Sequence, residues 1–178
     1  MRVISGRYKG TYLDGFNIDG TRPTMDRVKE SIFGSIQNNI KNSVCLDLFA
    51  GSGSLGIEAL SNGASDCYFV DNNIKVINTL KANLNKLEIK TNNVYYTNFK
   101  KALKKFRDEQ IKFDVIFLDP PYKLNLINDS AKMIEEYDLL NSGGILVCEY
   151  ETEQLNIDNL ELIKSKRYGS TYVNIYKK

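Results

Sequence analysis

From about Ser43 onward the chain repeats one pattern: a short apolar run, a turn, then an amphipathic stretch with apolar residues at helical spacing. Strands that are apolar on both faces, separated by helices, predict a parallel sheet wrapped by its own connections. Val44–Phe49 predicts the first strand, and a helix from about Ser54 to Ser61 follows, stopped by Asn62-Gly63. Cys67–Asp71 predicts a second strand, and Val76, Leu80, Leu84 and Leu87 mark the next helix. Val94–Thr97 is the third strand, followed by a basic helix from about Phe99 to Arg107 and a fourth strand over Phe113–Leu118. A helix across about Asn128–Leu140 leads through Gly143-Gly144 into a fifth strand, Ile145–Tyr150. The tail predicts a hairpin: Leu160–Ser165, a turn at Tyr168-Gly169, then Thr171–Tyr176.

Residues 1–20 alternate apolar and polar around Gly6, Gly10 and Gly15, which predicts a small hairpin. Thr24 is the expected N-cap of a helix with Met25, Val28, Ile32, Ile36 and Ile40 on one face. A stripe that apolar packs on the main core. The 178 residues therefore predict one domain, with 1–41 an N-terminal hairpin-and-helix extension and 42–178 the core.

Gly51-Ser52-Gly53-Ser54-Leu55-Gly56 fits G-x-G-x-x-G between a strand and a helix. Glycines there let backbone approach a ligand, and the helix start offers unpaired N–H groups. Alone the motif is weak, since any tight strand–helix turn can carry it. Asp71, twenty residues after Gly51 and ending the second strand, strengthens it by offering a carboxylate to ribose hydroxyls. The plainer role for Asp71 is a cap for the following helix. A nicotinamide dinucleotide and S-adenosylmethionine both suit this geometry. Asp47, four residues before Gly51, disfavours a pyrophosphate and favours a ligand with ammonium and sulfonium charges.

Asp119-Pro120-Pro121-Tyr122 at the end of the fourth strand is the more specific signal. A (D/N/S)-P-P-(Y/F/W) tetrad suits methylation of a planar amino nitrogen, whose lone pair is delocalised and poorly nucleophilic. The Asp119 carboxylate and the Pro120 carbonyl can accept the two amino hydrogens and draw the nitrogen toward a tetrahedral geometry. Pro121 stiffens the loop, and Tyr122 offers a ring on which a flipped base can stack. In-line transfer from a sulfonium then depends on positioning. Asn98, at the end of the third strand, can accept from an adenine amino group while the Phe99 N–H donates to a ring nitrogen; capping its helix is the plainer role.

Composition narrows the chemistry. The chain has no histidine, which removes Ser-His-Asp and Cys-His nucleophiles and imidazole metal sites, and leaves a mechanism built on acceptors and positioning. Cys45, Cys67 and Cys148 lack C-x-x-C spacing and read as buried free thiols in a reducing compartment. Net charge is +2, but it is segregated. Residues 1–41 carry seven basic and four acidic groups, 90–112 seven and two, 164–178 five and none, while 129–161 hold nine acidic groups and one lysine. Either these are solvated faces or the basic segments form a partial RNA-facing surface of modest strength. The N-terminus lacks a targeting pattern and no apolar run approaches the ~20 residues of a membrane helix, so a cytoplasmic protein is expected.

Taken together, these strings resemble the bacterial 16S ribosomal RNA guanine-N2 methyltransferase family, nearly end to end. Arg2-Val3-Ile4-Ser5-Gly6-Arg7-Tyr8-Lys9-Gly10 resembles its R-I-x-x-G-x-x-x-G opening, and Arg22-Pro23-Thr24 with Asp26-Arg27-Val28-Lys29-Glu30 and Phe33 its R-P-T-x-D-R-V block. Asp47 through Ala59 matches its cofactor loop and Asp119-Pro120-Pro121-Tyr122 its catalytic tetrad. Asn98 departs from the family, which more often has Asp there; the acceptor oxygen is kept, so weaker adenine affinity at most is expected.

The resemblance implies a Rossmann-like class I methyltransferase fold of the α/β class: a seven-stranded, mostly parallel sheet with the last strand antiparallel, plus the N-terminal hairpin and helix. It implies S-adenosylmethionine as cofactor and the small subunit, assembled or partly assembled, as partner; no metal, no membrane contact and a monomer are expected alongside. Catalytic residues would be Asp119, Pro120, Pro121 and Tyr122. Cofactor-binding residues would be Asp47, Phe49, Gly51, Ser52, Gly53, Gly56, Asp71, Asn72, Asn98 and Phe99. Arg7, Lys9, Arg22, Arg27 and Lys29 would contact RNA or cover the cofactor. Three other readings compete: a nicotinamide-dependent oxidoreductase, an inactive RNA-binding assembly factor, and an adenine-N6 or glutamine-N5 methyltransferase with a similar tetrad.

Overall fold

The computed structural model describes residues 1–15, 26–121 and 126–178. Arg22, Tyr122 and the expected N-cap Thr24 lie outside the described residues. In chain order the elements are α1 (Asp26–Ile40), β1 (Val44–Asp47), α2 (Ser54–Ser61), β2 (Asp66–Asp71), α3 (Ile74–Lys86), β3 (Val94–Tyr96), α4 (Phe99–Asp108), β4 (Phe113–Leu118), α5 (Leu126–Glu136), β5 (Leu140–Tyr150), β6 (Glu161–Tyr168) and β7 (Thr171–Lys177). The strands form one seven-stranded sheet in the order β3-β2-β1-β4-β5-β7-β6. Neighbours from β3 through β5 pair in parallel, and β7 runs antiparallel between β5 and β6.

Two apolar layers sandwich the sheet. Val28, Ile32, Phe33, Ile36 and Ile40 of α1 join Ile57 of α2 and Ile77 and Leu80 of α3 over one face. Ala102, Leu103 and Phe106 of α4 and Ile127, Ala131 and Ile134 of α5 cover the other. Apolar stripes read from helical periodicity therefore became the inner faces of the layers. The central strand β4 contributes to both layers, Val115 and Phe117 to one and Ile116 and Leu118 to the other. Because the strand order reverses between β1 and β4, a crevice opens at their C-terminal ends, where the glycine turn and the tetrad both lie.

β1 ends at Asp47 rather than Phe49, and β6 runs over Glu161–Tyr168 rather than Leu160–Ser165; three other places departed further from expectation. The helix expected over Asn128–Leu140 is Leu126–Glu136. Two residues past its end Asp138 has a left-handed φ of 51°, and Leu139 N–H bonds back to Ile134 O at 3.0 Å. The fifth strand starts at Leu140 rather than Ile145, because Leu140 pairs with Phe113 across a bulge that holds Gly143-Gly144. Those glycines do not end an element; Gly143 N–H and Gly144 O bond to Lys178. At the N-terminus, among the described residues of the expected 1–20 hairpin, there is a single antiparallel bridge, Arg2 to Tyr12, flanked by Val3 N–H to Thr11 O and Leu13 N–H to Met1 O.

The three cysteines are free and buried. Among the described residues no helix is long and apolar enough to cross a membrane.

Candidate functional site

The glycine turn is held from three sides. Asp47 closes β1 and is buried, and its Oδ2 accepts the Gly56 N–H at 2.9 Å. Asp71 closes β2, where its Oδ2 accepts the Gly51 N–H at 3.0 Å and its Oδ1 the Asn73 N–H at 2.9 Å. Ala50 N–H bonds to Val70 O at 2.9 Å, so the turn is stitched to the tip of the second strand.

Two glycines are required by space. Gly53 has φ of 90°, and a Cβ there would meet Leu80 Cδ1 at 2.4 Å. A Cβ on Gly56 would meet Phe69 Cε1 at 2.3 Å and Cys67 Sγ at 2.8 Å, so Gly56 sets how closely α2 packs on β2. Gly51 differs: the space a Cβ would fill is open, the nearest atom being Phe49 O at 4.0 Å.

Electrostatics follow from burial. Burial pushes Asp47 from an ordinary 3.8 up to about 7, opposed by the Gly56 N–H and assisted by the charge of Asp71. Asp71 also rises through burial, against the N–H groups of Asn73, Gly51 and Asn72. Asn73 rather than Asp71 is the N-cap of α3, accepting Lys75 N–H at 3.0 Å. Asp71 is thus left with acceptor capacity, since a carboxylate has about four lone-pair sites.

Phe49, just past β1, and Phe99, at the start of α4, have ring centres 5.6 Å apart, tilted at 50°. Asn98 is exposed and caps α4, its Oδ1 accepting Lys101 N–H at 2.9 Å. Ser52 is buried, and Asn72 is exposed beside Asp71. On the neighbouring strand β4, Phe117 pairs with Asp47, so Asp119-Pro120-Pro121 leaves the sheet just beyond the glycine turn. Asp119 is half-buried and Pro120 buried.

The basic candidates among the described residues differ in their surroundings. Lys29 is fully buried, with Nζ donating to Arg2 O at 2.6 Å and to Glu58 Oε2 at 3.3 Å. An ammonium enclosed in this way contacts no external ligand, which corrects its expected RNA role. Arg7 and Lys9 are exposed, but Arg7 N–H bonds to Ser61 O at the far end of α2. Eight residues of helix, about 12 Å, separate that end from the glycine turn. Arg27 is exposed on α1.

Three further residues went unmarked in the sequence. Ser54 Oγ, at the start of α2, is buried and has no hydrogen-bond partner among the described residues. Asn83, buried on α3, donates to Ser52 O and Asp14 O and accepts Asp14 N–H, all within 3.0 Å. Glu58 accepts the N–H groups of Ile4 and Ser5 and the Ser5 hydroxyl, docking the N-terminus on α2. A lone carboxylate inside the apolar helix Ser54-Leu55-Gly56-Ile57-Glu58-Ala59-Leu60-Ser61 was the available signal for Glu58.

The strand order, the carboxylates ending β1 and β2 and the helix-starting glycine turn define a Rossmann-like class I methyltransferase fold. The chain belongs to the family described as conserved hypothetical protein 95, whose profile matches residues 1–177, the family its motifs resemble. A Bacillus subtilis protein, YlbH, is 44% identical over 182 residues, covering 100% of this chain and 99% of its own. Ribosomal RNA small subunit methyltransferase D of Haemophilus influenzae is 36% identical, covering 99% of this chain and 93% of its own. The solved structure of Escherichia coli yhhF superposes with a TM-score of 0.86 at 30% identity, over 100% of this chain and 97% of that one.

Proposed function

We propose that the protein transfers a methyl group from S-adenosylmethionine to the exocyclic N2 of a guanine in 16S ribosomal RNA of the small subunit. The observation that carries this reading is the adjacency of β1 and β4, which sets Asp119-Pro120-Pro121 beside the glycine turn. Names borne by relatives, such as ribosomal RNA small subunit methyltransferase D, support the RNA substrate.

The residues fit the cofactor. The open space at Gly51 and the unpartnered Ser54 hydroxyl face a ligand position at the start of α2. Asp47 lies where cationic groups of the ligand offset its burial, Asp71 can take the ribose hydroxyls, and Phe49 and Phe99 form an apolar wall. Asn98 can accept from adenine with its second lone pair while still capping α4. When bound, the cofactor supplies a methyl group on a sulfonium.

Asp119 and the Pro120 carbonyl accept the two amino hydrogens of the target base and aim its lone pair at that methyl. As the nitrogen–carbon bond formed, the methyl–sulfur bond would break with its electron pair going to a neutral thioether, and one amino hydrogen would leave as a proton through the Asp119 carboxylate to water. No imidazole is needed for this, in keeping with a chain that has none. Tyr122 is assigned to stacking on the base, and Arg27, with Arg22, to the RNA. The chain acts as one cytoplasmic domain, with 1–41 as its extension.

The test uses labelled S-adenosylmethionine and small subunits from a strain lacking this gene, followed by nucleoside analysis. N2-methylguanosine is the expected product; N6-methyladenosine, protein-bound label or unlabelled RNA would each reject the assignment. Asp119→Ala should abolish transfer while cofactor binding persists, and near-normal turnover would refute the role of Asp119.

A further inference from the structure

With Lys29 enclosed and Arg7 and Lys9 a helix length from the glycine turn, few cations assigned so far stand beside the tetrad. The antiparallel end of the sheet supplies one. Tyr150 of β5 pairs in register with Tyr172 of β7, and Tyr172 with Arg167 of β6. The tyrosine rings stack, 5.4 Å between centres at 20°, and the Arg167 guanidinium carbon lies 5.2 Å from the centre of the Tyr172 ring. The three side chains therefore form one stacked row running across the strands.

The row lies toward the end of the sheet from which the tetrad departs. Leu118, the last residue of β4, pairs with Cys148, and Tyr150 lies two residues further along β5. At about 4.8 Å per strand, three strand spacings put Arg167 roughly 14 Å across the sheet from the line of β4, within reach of nucleotides that flank a target base.

A cross-strand aromatic pair stabilises a sheet without any ligand. Arg167 is what points outward. It is exposed, and only its Nε is engaged, donating to Gly169 O at 2.8 Å. The terminal amino groups enter no hydrogen bond among the described residues. The last fifteen residues carry five basic groups and no acidic one. Of the acidic groups at this end of β5, Glu149 and Glu153 are buried and Glu151 accepts the Ser170 hydroxyl at 2.8 Å.

Resting on the methyl-transfer reading above, we propose that Arg167, propped upright by the Tyr172–Tyr150 stack, clamps a backbone phosphate of the RNA strand beside the target base. The tyrosines fix the plane of the guanidinium fork, so it loses little freedom when a phosphate binds.

Four variants test it: Arg167→Ala, Arg167→Lys, Tyr172→Ala and Tyr172→Phe. Each is assayed for KM and kcat on small subunits, Kd for isolated 16S RNA across a salt series, Kd for S-adenosylmethionine, and Tm. Arg167→Ala should raise KM and RNA Kd about tenfold and lower the slope of log affinity against log salt by about one. Arg167→Lys should recover the slope but not the affinity. Tyr172→Phe should match the wild type, and Tyr172→Ala should follow Arg167→Ala; cofactor Kd should not move. If Tyr172→Ala proves unstable, the exposed Arg167 variants decide alone. An unchanged KM and salt slope in Arg167→Ala would overturn the clamp while leaving methyl transfer standing. A raised KM on particles with unchanged RNA Kd would mean contact with a ribosomal protein, which also overturns it. If the wild type labels no RNA, the functional reading fails and the clamp with it.

Discussion

Asp47 shows how one residue ties folding to ligand binding. Burial keeps its carboxyl protonated up to about 7, above the 3.8 of an exposed aspartate. Folding therefore takes up a proton between those values. That contribution to stability is full below about 4 and is lost as pH rises to about 7. A urea titration of ligand-free protein should show it, and Asp47→Asn should flatten this part of the profile. A ligand with cationic groups prefers the ionised form, so calorimetric affinity for S-adenosylmethionine should weaken as pH falls through about 7. A pH-independent affinity would contradict the place given to Asp47. Gly56 is constrained by contact alone. Gly56→Ala drives a methyl into Phe69 and Cys67, and should cost about 1–3 kcal/mol by chemical denaturation. A variant as stable as the wild type would mean that α2 can lift from the sheet.

The N-terminal segment is held to the core by polar anchors as much as by apolar packing. Val3 and Leu13 enter the core, but Glu58 and Lys29 form a fully buried pair that fixes Ile4, Ser5 and the Arg2 carbonyl. Burial pulls the Lys29 ammonium below its ordinary pKa, while Glu58 holds the charge in place. Lys29→Met leaves Glu58 buried with its cation gone and should cost about 3–5 kcal/mol. Lys29→Met combined with Glu58→Gln should recover part of that loss, and additive losses would show that the two do not act as a pair. The other anchor, Asn83, joins Ser52 in the glycine turn to Asp14. At the opposite layer Glu153 reaches from the loop after β5 to accept the Ile127 and Asn128 N–H groups, capping α5 beside the tetrad.

For the whole molecule, charge is arranged rather than abundant. A net charge of +2 predicts weak binding to naked RNA. Exposed Arg27, Arg167 and the cations of α4 predict salt-sensitive binding to the particle. Particles should therefore be methylated faster than isolated 16S RNA, and the difference should shrink with added salt. Equal rates on both would remove the case for a distributed basic surface.

Most of the fold could be read from periodicity, because strands buried on both faces must be apolar throughout and their helices must carry one apolar stripe. The bounds of α2 and β4 were as expected for that reason. The end of α5 and the start of β5 were not, since both depend on pairing with Phe113 and Lys178, distant in sequence. The glycine turn, Asp47, Asp71 and the tetrad were legible because local backbone chemistry demands those residue types in that order. Lys29 was not: a lysine among Arg27, Val28 and Glu30 reads as surface, and only the packing of α1 on α2 encloses it with Glu58. Sequence alone determined which residue types stand at the strand ends, because motifs are local. Tertiary structure decided which charges face water and which are spent inside, because burial depends on what other elements pack against a residue.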